Sequence, residues 1–409
     1  MSFPNLICPL LFYSVFFISC QSSSKENKEN QFILEPIKTH CISGGEPNLF
    51  VEQTGDIYLS WIEYTSDTTD ALVFSKMENG KWGEPTVIAQ GSDWFVNWAD
   101  FPSVAARGNW LAAHWLQKSA AGTYDYDVRI AQSLDSGKTW SPSFIPHQDS
   151  ISAEHGFVTM MPISDDRMFV VWLDGRNTKT HPQSGDGHGH GGAMTLRTAE
   201  FDKSGNLYEE SELDNRICDC CQTDAAMTAN GPVVVYRDRS EHEIRDICIV
   251  RKVEGKWTVP HLIHADNWEI TGCPVNGPAI VADGDLVAVA WFSAPKGKNM
   301  VNIAFSEDAG ATFNPSVRVD DGNPSGRVDV EMMDEQTVLV SWLENANDTA
   351  EIRVAKVSLK GKTGKSITLT STTPARSSGF PILAKMDKKW LLAWTEVDSE
   401  TVVKTGIIH

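Results

Sequence analysis

The chain has 409 residues and a formal net charge of −19, with 54 Asp and Glu against 35 Lys and Arg. Hydrophobic residues make up 41% of it, enough for a sizeable core, which excludes wholesale disorder. A protein that follows nucleic-acid phosphates needs an excess of Lys and Arg, so the acidic balance argues against nucleic acid as a partner.

Residues 1–20 are predicted to be a lipoprotein signal peptide. The apolar run from Leu6 to Ile18, about 13 residues, is shorter than the roughly 20 of a spanning helix but fits a signal sequence. Ser19-Cys20 resembles the lipobox of bacterial lipoproteins, which implies lipidation of Cys20, although Phe17 stands where Leu is usual. The alternative is a cleaved secretory signal with an incidental cysteine.

Residues 21–31 are polar and are predicted to form a tether. The lipobox resemblance implies a protein of the bacterial cell envelope, periplasmic or on the cell surface, that contacts the membrane through its lipid anchor only. Such a compartment is oxidising, so the six cysteines that remain are candidates for disulfides.

Residues 32–409 are predicted to form one all-β domain, a β-propeller of four-stranded antiparallel blades. Seven apolar runs end in an aromatic residue, from Trp61 to Trp394, at spacings of 54, 57, 64, 55, 51 and 52 residues. A repeat of this length indicates a propeller or an array. Seven blades are expected, with six as the alternative, and Phe32–Ile37 is expected to supply the outer strand that closes the last blade.

Two turns carry a sharper pattern, S-x-D-x-G-x-T followed by an aromatic residue. Ser133–Trp140 matches it throughout, and Ser306–Phe313 has Phe in place of Trp. This pattern resembles the Asp-box of sialidase-like (BNR) propellers. The resemblance implies a protein that acts on a glycan, as an exo-α-sialidase or a related glycoside hydrolase, or that only binds a glycan or another small molecule, on the face opposite the boxes. A monomer is expected.

The resemblance also implies a catalytic set, because sialidases use an arginine clamp, a Tyr–Glu nucleophile and an Asp acid. A glycosidase of this kind needs no cofactor. The Arg-Ile-Pro motif of the family is missing, since Glu46-Pro47-Asn48 stands there. The candidate catalytic residues are Asp100, Asp174, Arg176, Tyr236, Arg237 and Arg327.

Other unusual residues also fall in loops of the same predicted face. Aromatic, charged and amide side chains there are candidates for ligand contact. They are Trp94, Trp98, Glu154, His155, Arg239, Trp268 and Asn276.

A cysteine cluster on this face supports a second hypothesis, a metal-binding or redox-linked propeller. Cys218, Cys220 and Cys221 precede the fourth blade, and Cys273 precedes the fifth. In an exported protein these residues form disulfides, such as Cys218 or Cys220 with Cys273, or they bind copper or zinc. An insertion with His181, His188 and His190 is a further ligand candidate or a surface loop. A non-catalytic interaction scaffold is the third alternative.

Overall fold

The computed structural model describes Met1, residues 32–180 and residues 192–409. The predicted signal peptide with Cys20, the tether, and His181, His188 and His190 lie outside the described residues. Within the described ranges, no helix has the length and apolar character needed to cross a membrane.

The described chain forms a propeller of seven antiparallel blades, which confirms the predicted fold class. In chain order the strands are β1 (Leu34–Ile37), β2 (Gly44–Val51), β3 (Ile57–Ser66), β4 (Thr69–Glu78), β5 (Lys81–Trp82), β6 (Thr86–Gly91), β7 (Ser103–Arg107), β8 (Trp110–Lys118), β9 (Tyr126–Ser133), β10 (His155–Pro162), β11 (Arg167–Asp174), β12 (Met194–Asp202), β13 (Leu207–Ile217), β14 (Asp224–Thr228), β15 (Gly231–Arg237), β16 (Ile247–Val253), β17 (Lys256–Trp257), β18 (His261–His264), β19 (Ala279–Asp283), β20 (Leu286–Ser293), β21 (Met300–Ser306), β22 (Val317–Arg318), β23 (Pro324–Asp334), β24 (Thr337–Ala346), β25 (Thr349–Ser358), β26 (Gly361–Thr372), β27 (Ile382–Met386), β28 (Lys389–Val397) and β29 (Thr401–Ile408). The helical segments are α1 (Arg176–Thr180) and the 3-10 turns Pro295–Gly297 and Arg376–Ser378.

The ring closes through the predicted N-terminal strand. Blade seven has the order β1-β29-β28-β27, with Leu34 opposite Ile408. The first strands of blades one to six are β2, β7, β10, β14, β19 and β23. Joining both ends of the domain in one blade pairs sheet edges that would otherwise invite aggregation.

The tryptophans that end the second strands are structural. The indole N–H of Trp61, Trp172 and Trp342 donates to a carboxylate two residues further along the chain, at 2.6, 2.8 and 2.6 Å. All three indoles are buried, so each needs such an acceptor. In these three blades the repeated tryptophan is held by a bond within its own strand, whereas Trp291 donates to Asp266 at 2.6 Å.

The first strands of all seven blades surround a central cavity of about 270 Å³. Three aspartates that line this cavity accept backbone N–H groups from the next blade and so link neighbouring blades. The pairs are Asp100–Phe157, Asp224–Ile280 and Asp329–Leu383, at 2.6, 2.8 and 2.6 Å.

The two segments with the Asp-box pattern form tight turns after β9 and β21. Asp135 accepts the backbone N–H and the hydroxyl of Thr139 at 2.9 and 2.7 Å. Asp308 accepts the same two groups of Thr312 at 2.8 and 2.7 Å. The turns therefore hold the third strand to the chain that leads to the fourth.

We expect Gly137→Ala, in the first of these turns, to destabilise the propeller by about 2 kcal/mol more than Gly55→Ala. Both glycines have positive φ, 86° and 96°, so an alanine at either position has the same kind of backbone strain. A Cβ at Gly137 would lie 2.2 Å from the buried Phe74 ring, whereas one at Gly55 meets nothing within 4 Å. Urea unfolding of both variants measures the difference, and equal losses would contradict the steric argument.

Candidate functional site

Most of the predicted site residues lie on one face of the propeller. We call this the loop face, because it is formed by the loops that lead into first strands and by the loops that join second to third strands. Antiparallel order places these loops opposite the Asp-box turns. Glu154 directly precedes the first strand β10, while Asp174 and Arg237 end the second strands β11 and β15.

Three of these loop-face groups form a tyrosine–carboxyl cluster of Tyr126, Glu154 and Asp100. The Tyr126 hydroxyl lies 3.0 Å from Glu154 Oε1 and 3.4 Å from Asp100 Oδ2. Tyr126 and Asp100 are buried, whereas Glu154 keeps part of its surface exposed. Glu154 is therefore the member of the cluster that a ligand can reach.

Both carboxyl groups of the tyrosine–carboxyl cluster have raised pKa values. Burial raises the pKa of Glu154 to about 8, and the charges of Asp100, Asp219 and Cys273 add to the effect. Burial likewise raises the pKa of Asp100 to about 7, although the hydrogen bond from Phe157 N–H lowers it in part. Two carboxyl groups that hold protons near neutral pH are suited to acid–base chemistry.

The four cysteines at the start of blades four and five form a thiol cluster. The Cys218 sulfur lies 3.3 Å from that of Cys221 and 3.9 Å from that of Cys220, and the Cys220 thiol also interacts with Cys273. A disulfide needs about 2.05 Å between sulfurs. All six cysteines of the described ranges are free, and none of them lies at disulfide distance from another.

An arginine–carboxylate network borders the thiol cluster. Arg245 donates to the Cys218 sulfur at 3.2 Å and to Glu243 at 2.8 Å. Arg239 binds both carboxylate oxygens of Asp219, at 3.0 and 3.1 Å, and also Glu243. Burial alone would raise the pKa of Cys218, but the neighbouring thiols and Arg245 outweigh it and hold that pKa well below its usual value.

His155 belongs to a buried histidine–carboxylate network rather than to an open surface. Its ring stacks on His147 at 3.7 Å, and its Nε2 lies 3.0 Å from Asp149. Burial by itself would lower the pKa of His155, but Asp149 and Asp174 outweigh it and raise that pKa. The sets Asp149–His155–Asp174 and Asp127–His147–His155 have ligand atoms within 4.8 Å, a spacing compatible with a metal ion.

The three arginines of the expected clamp are engaged by other groups of the protein. Arg176 donates to Asp174 at 2.7 Å and to Glu210 at 2.8 Å. Arg237 is 1% exposed, and its guanidinium donates to backbone carbonyls of the loop face. Arg327 donates to the Ser378 hydroxyl at 2.6 Å and to the Gly379 carbonyl at 2.8 Å. The structure does not bring the three guanidinium groups together on one free anion site.

The three loop tryptophans all pack against the protein. Trp268 is buried and carries Arg237 on its ring at 4.9 Å. Trp98 stacks on Phe380 at 5.9 Å, and Trp94 stacks on Trp115 at 5.4 Å. Trp94 and Trp98 keep part of their surface exposed.

The remaining two candidates are also bonded within the fold. The Tyr236 hydroxyl donates to Asp214 at 2.5 Å, in the core between blades three and four. The Asn276 side chain accepts the Arg327 N–H at 2.7 Å and donates to the Pro274 carbonyl at 3.1 Å. Tyr236 therefore lies apart from the tyrosine–carboxyl cluster, and Asn276 links blades five and six.

Sequence reasoning missed three residues of this region: Tyr126, Asp219 and Arg245. Tyr126 opens the third strand β9 and so lies outside the loops of the predicted face. Asp219 stands between Cys218 and Cys220, so its position alone was a usable signal. Nothing in the local sequence marks Arg245 as a partner of a cysteine 27 residues away.

No protein-family model and no curated protein matches the chain. Among solved structures, the polysaccharide lyase Uly1 has a TM-score of 0.53 at 10% identity. The alignment covers 91% of this chain and 90% of the Uly1 chain. A Dyadobacter fermentans protein of unknown function has a TM-score of 0.50 at 13% identity, covering 93% and 98%. An ulvan lyase of polysaccharide lyase family PL25 has a TM-score of 0.50 at 12% identity, covering 78% and 80%. Sialidases and an arabinanase are also neighbours, at TM-scores of 0.44 to 0.47. At these identities the likeness shows a shared propeller fold.

Proposed function

We propose that the protein cleaves a glycan on its loop face, with Glu154 as the group that donates a proton to the leaving oxygen. The observation that carries this proposal is the tyrosine–carboxyl cluster, in which Glu154 is partly exposed and has a pKa of about 8. A glycosidic bond needs a protonated acid at neutral pH, and a carboxyl group provides one only when its pKa is raised. Structural neighbours that act on polysaccharides support a glycan as the substrate.

The other residues of this region act through position and charge. Tyr126 orients the Glu154 carboxyl through its 3.0 Å hydrogen bond, and the buried Asp100 behind it helps to keep Glu154 protonated. Both carboxylate oxygens of Asp219 accept hydrogen bonds from Arg239, which fixes the position of this side chain. Asp219 is close enough for its charge to act on Glu154, so it supplies a second carboxylate at the site. Such a carboxylate stabilises the positive charge that develops on the sugar in the transition state, and a water molecule bonds to the sugar carbon in place of the leaving oxygen.

The substrate is proposed to be a neutral glycan. A sialoside carries a carboxylate that needs free guanidinium donors, and those of Arg176, Arg237 and Arg327 already donate to other groups. The Asp219 carboxylate adds a negative charge to this face, which disfavours an anion. The chain as a whole, at −19, repels anions as well.

The test is hydrolysis of aryl glycosides of neutral sugars and of neutral polysaccharides, with a 4-methylumbelliferyl sialoside as the anionic arm. We expect cleavage of a neutral substrate, and a loss of 10²- to 10⁴-fold in kcat in Glu154→Gln. Glu46→Gln is the matched control, because Glu46 also accepts from a tyrosine, Tyr64 at 2.9 Å, and has a pKa of about 7, but is buried.

Glu46→Gln is expected to keep the wild-type rate. Equal activity of wild type and Glu154→Gln would remove Glu154 from the mechanism. Cleavage of the sialoside alone would overturn the neutral substrate class.

A further inference from the structure

We infer that Cys218, Cys220 and Cys221, together with Cys273 from the next blade, bind a thiophilic metal ion, Zn²⁺ or Cu⁺. The sulfur atoms of the first three lie within 4.8 Å of one another. Tetrahedral Zn–S bonds of about 2.3 Å place sulfurs about 3.8 Å apart. The sulfur separations of 3.3 and 3.9 Å fall around this value and far outside the length of a disulfide.

The backbone around the thiol cluster is fixed before any ion binds. Cys218 N–H donates to the Arg237 carbonyl at 3.0 Å, which anchors the start of the loop. At its end, the Gln222 side chain accepts Gly277 N–H at 3.0 Å and donates to the Ala99 carbonyl, so it joins the loop to blades two and five. A loop held at both ends presents its sulfurs without the entropy cost of ordering a free chain.

The four cysteines differ in exposure in the way an ion-binding pocket requires. Cys218 and Cys221 are buried, Cys220 is half-buried and Cys273 is exposed. The buried pair gives a site shielded from water, and Cys273 stands at its mouth in a loop of the neighbouring blade. An ion can therefore reach the three inner sulfurs from the loop face and take Cys273 as its fourth ligand.

The charges next to the cluster stabilise thiolates, the form of cysteine that binds metal. Arg245 is 2% exposed. Its Nη1 donates to the Cys218 sulfur at 3.2 Å, and its Nη2 donates to the Glu243 carboxylate at 2.8 Å. Such a partner orients a ligand and offsets the negative charge that several thiolates bring to one ion. Sulfur ligands select Zn²⁺ and Cu⁺ over Mg²⁺ and Ca²⁺, which prefer oxygen.

The test is the metal content of the full chain, reduced, loaded separately with Zn²⁺, Cu⁺ or Mg²⁺, and desalted without oxygen. We expect one ion of Zn²⁺ or Cu⁺ per chain and no retained Mg²⁺. Loading with Co²⁺ should give the absorption band of sulfur-to-cobalt charge transfer. The metal should also raise the melting temperature. Whichever ion binds tighter in competition identifies the occupant.

Three variants locate the site. Cys218→Ser/Cys221→Ser should lose the ion and the cobalt band. Cys220→Ser/Cys273→Ser removes the more exposed ligands and should also lose them, which covers the case in which the first variant does not fold. Arg245→Met should weaken binding 10- to 100-fold.

Cys248→Ser is the matched control, because the Cys248 side chain is packed in the core beside Tyr236 and is not one of the three sulfurs that lie within 4.8 Å of one another, so this variant should leave one ion per chain. Wild-type protein that retains none of the ions, or cysteine variants that retain as much as wild type, would overturn the site. Glycan cleavage is measured separately, so failure of either proposal leaves the other standing.

Discussion

Arg237→Met is expected to lower the free energy of unfolding by about 3–5 kcal/mol. The Arg237 guanidinium donates to the carbonyls of Asn276 at 2.8 and 3.0 Å, Arg245 at 2.6 Å and Phe292 at 2.7 Å. Methionine keeps the length of the stem on Trp268 but donates to none of these carbonyls. Each buried carbonyl left without a donor lowers the stability by about 1–3 kcal/mol, because it is hydrogen-bonded to water in the unfolded chain but has no partner in the folded protein.

Arg353→Met is the control for this loss. Arg353 pairs with Asp321 and Glu351 near the surface of blade six, where its side chain is 23% exposed. A surface ion pair contributes about 0–1 kcal/mol, so this variant should unfold close to wild type in urea. A substrate clamp gives the opposite pattern, in which Arg237→Met loses substrate binding and keeps its stability. A loss of stability below 1 kcal/mol would therefore contradict the structural role.

The fold was predictable because its signal is local and repeated. Each blade needs a buried aromatic residue at the end of its second strand, and the indole of Trp61 or Trp342 finds its acceptor only two residues away. The turn at Asp135 likewise bonds within four residues. Closure by β1 followed from counting strands, because the last unit is one strand short.

The site was only partly predictable because its contacts are distant in sequence. Arg237 and Arg327 have the charge that a carboxylate clamp requires, but both donate to backbone carbonyls. Every residue has a backbone carbonyl, so the sequence does not show which ones accept from an arginine. Glu154 was found from its loop, whereas its partner Tyr126 is 28 residues away in a strand. The cysteine cluster was visible as a pattern, but the choice between disulfide and free thiols needed the sulfur separations.

Asp100→Asn is expected to become more stable relative to wild type as the pH rises from 4 to 8. In the folded protein burial raises the pKa of Asp100 to about 7, whereas the unfolded chain ionises near 3.8. Well below pH 3.8 both states hold the proton, so the contribution of Asp100 is fully present. It is lost progressively as the pH rises through 7, because above 3.8 the unfolded state has released the proton while the folded state still holds it, and the loss ends once both states are ionised. At about 1.4 kcal/mol for each unit of pKa, the change approaches about 4 kcal/mol.

The amide suits this test because it keeps the bond that Asp100 makes to the next blade. Its oxygen accepts Phe157 N–H, and its NH₂ group faces the Tyr126 hydroxyl, so the variant lacks only the titrating proton. Asp135→Asn is the control, since hydrogen bonds from Thr139 lower the pKa of Asp135 to about 2. Its contribution is lost only on acidification, so its difference from wild type should be constant between pH 5 and 8. Urea unfolding at intervals across pH 4 to 8 measures both. A constant difference for Asp100→Asn as well would mean that Asp100 is ionised in the folded protein, and Glu154 would then lie beside a fixed negative charge.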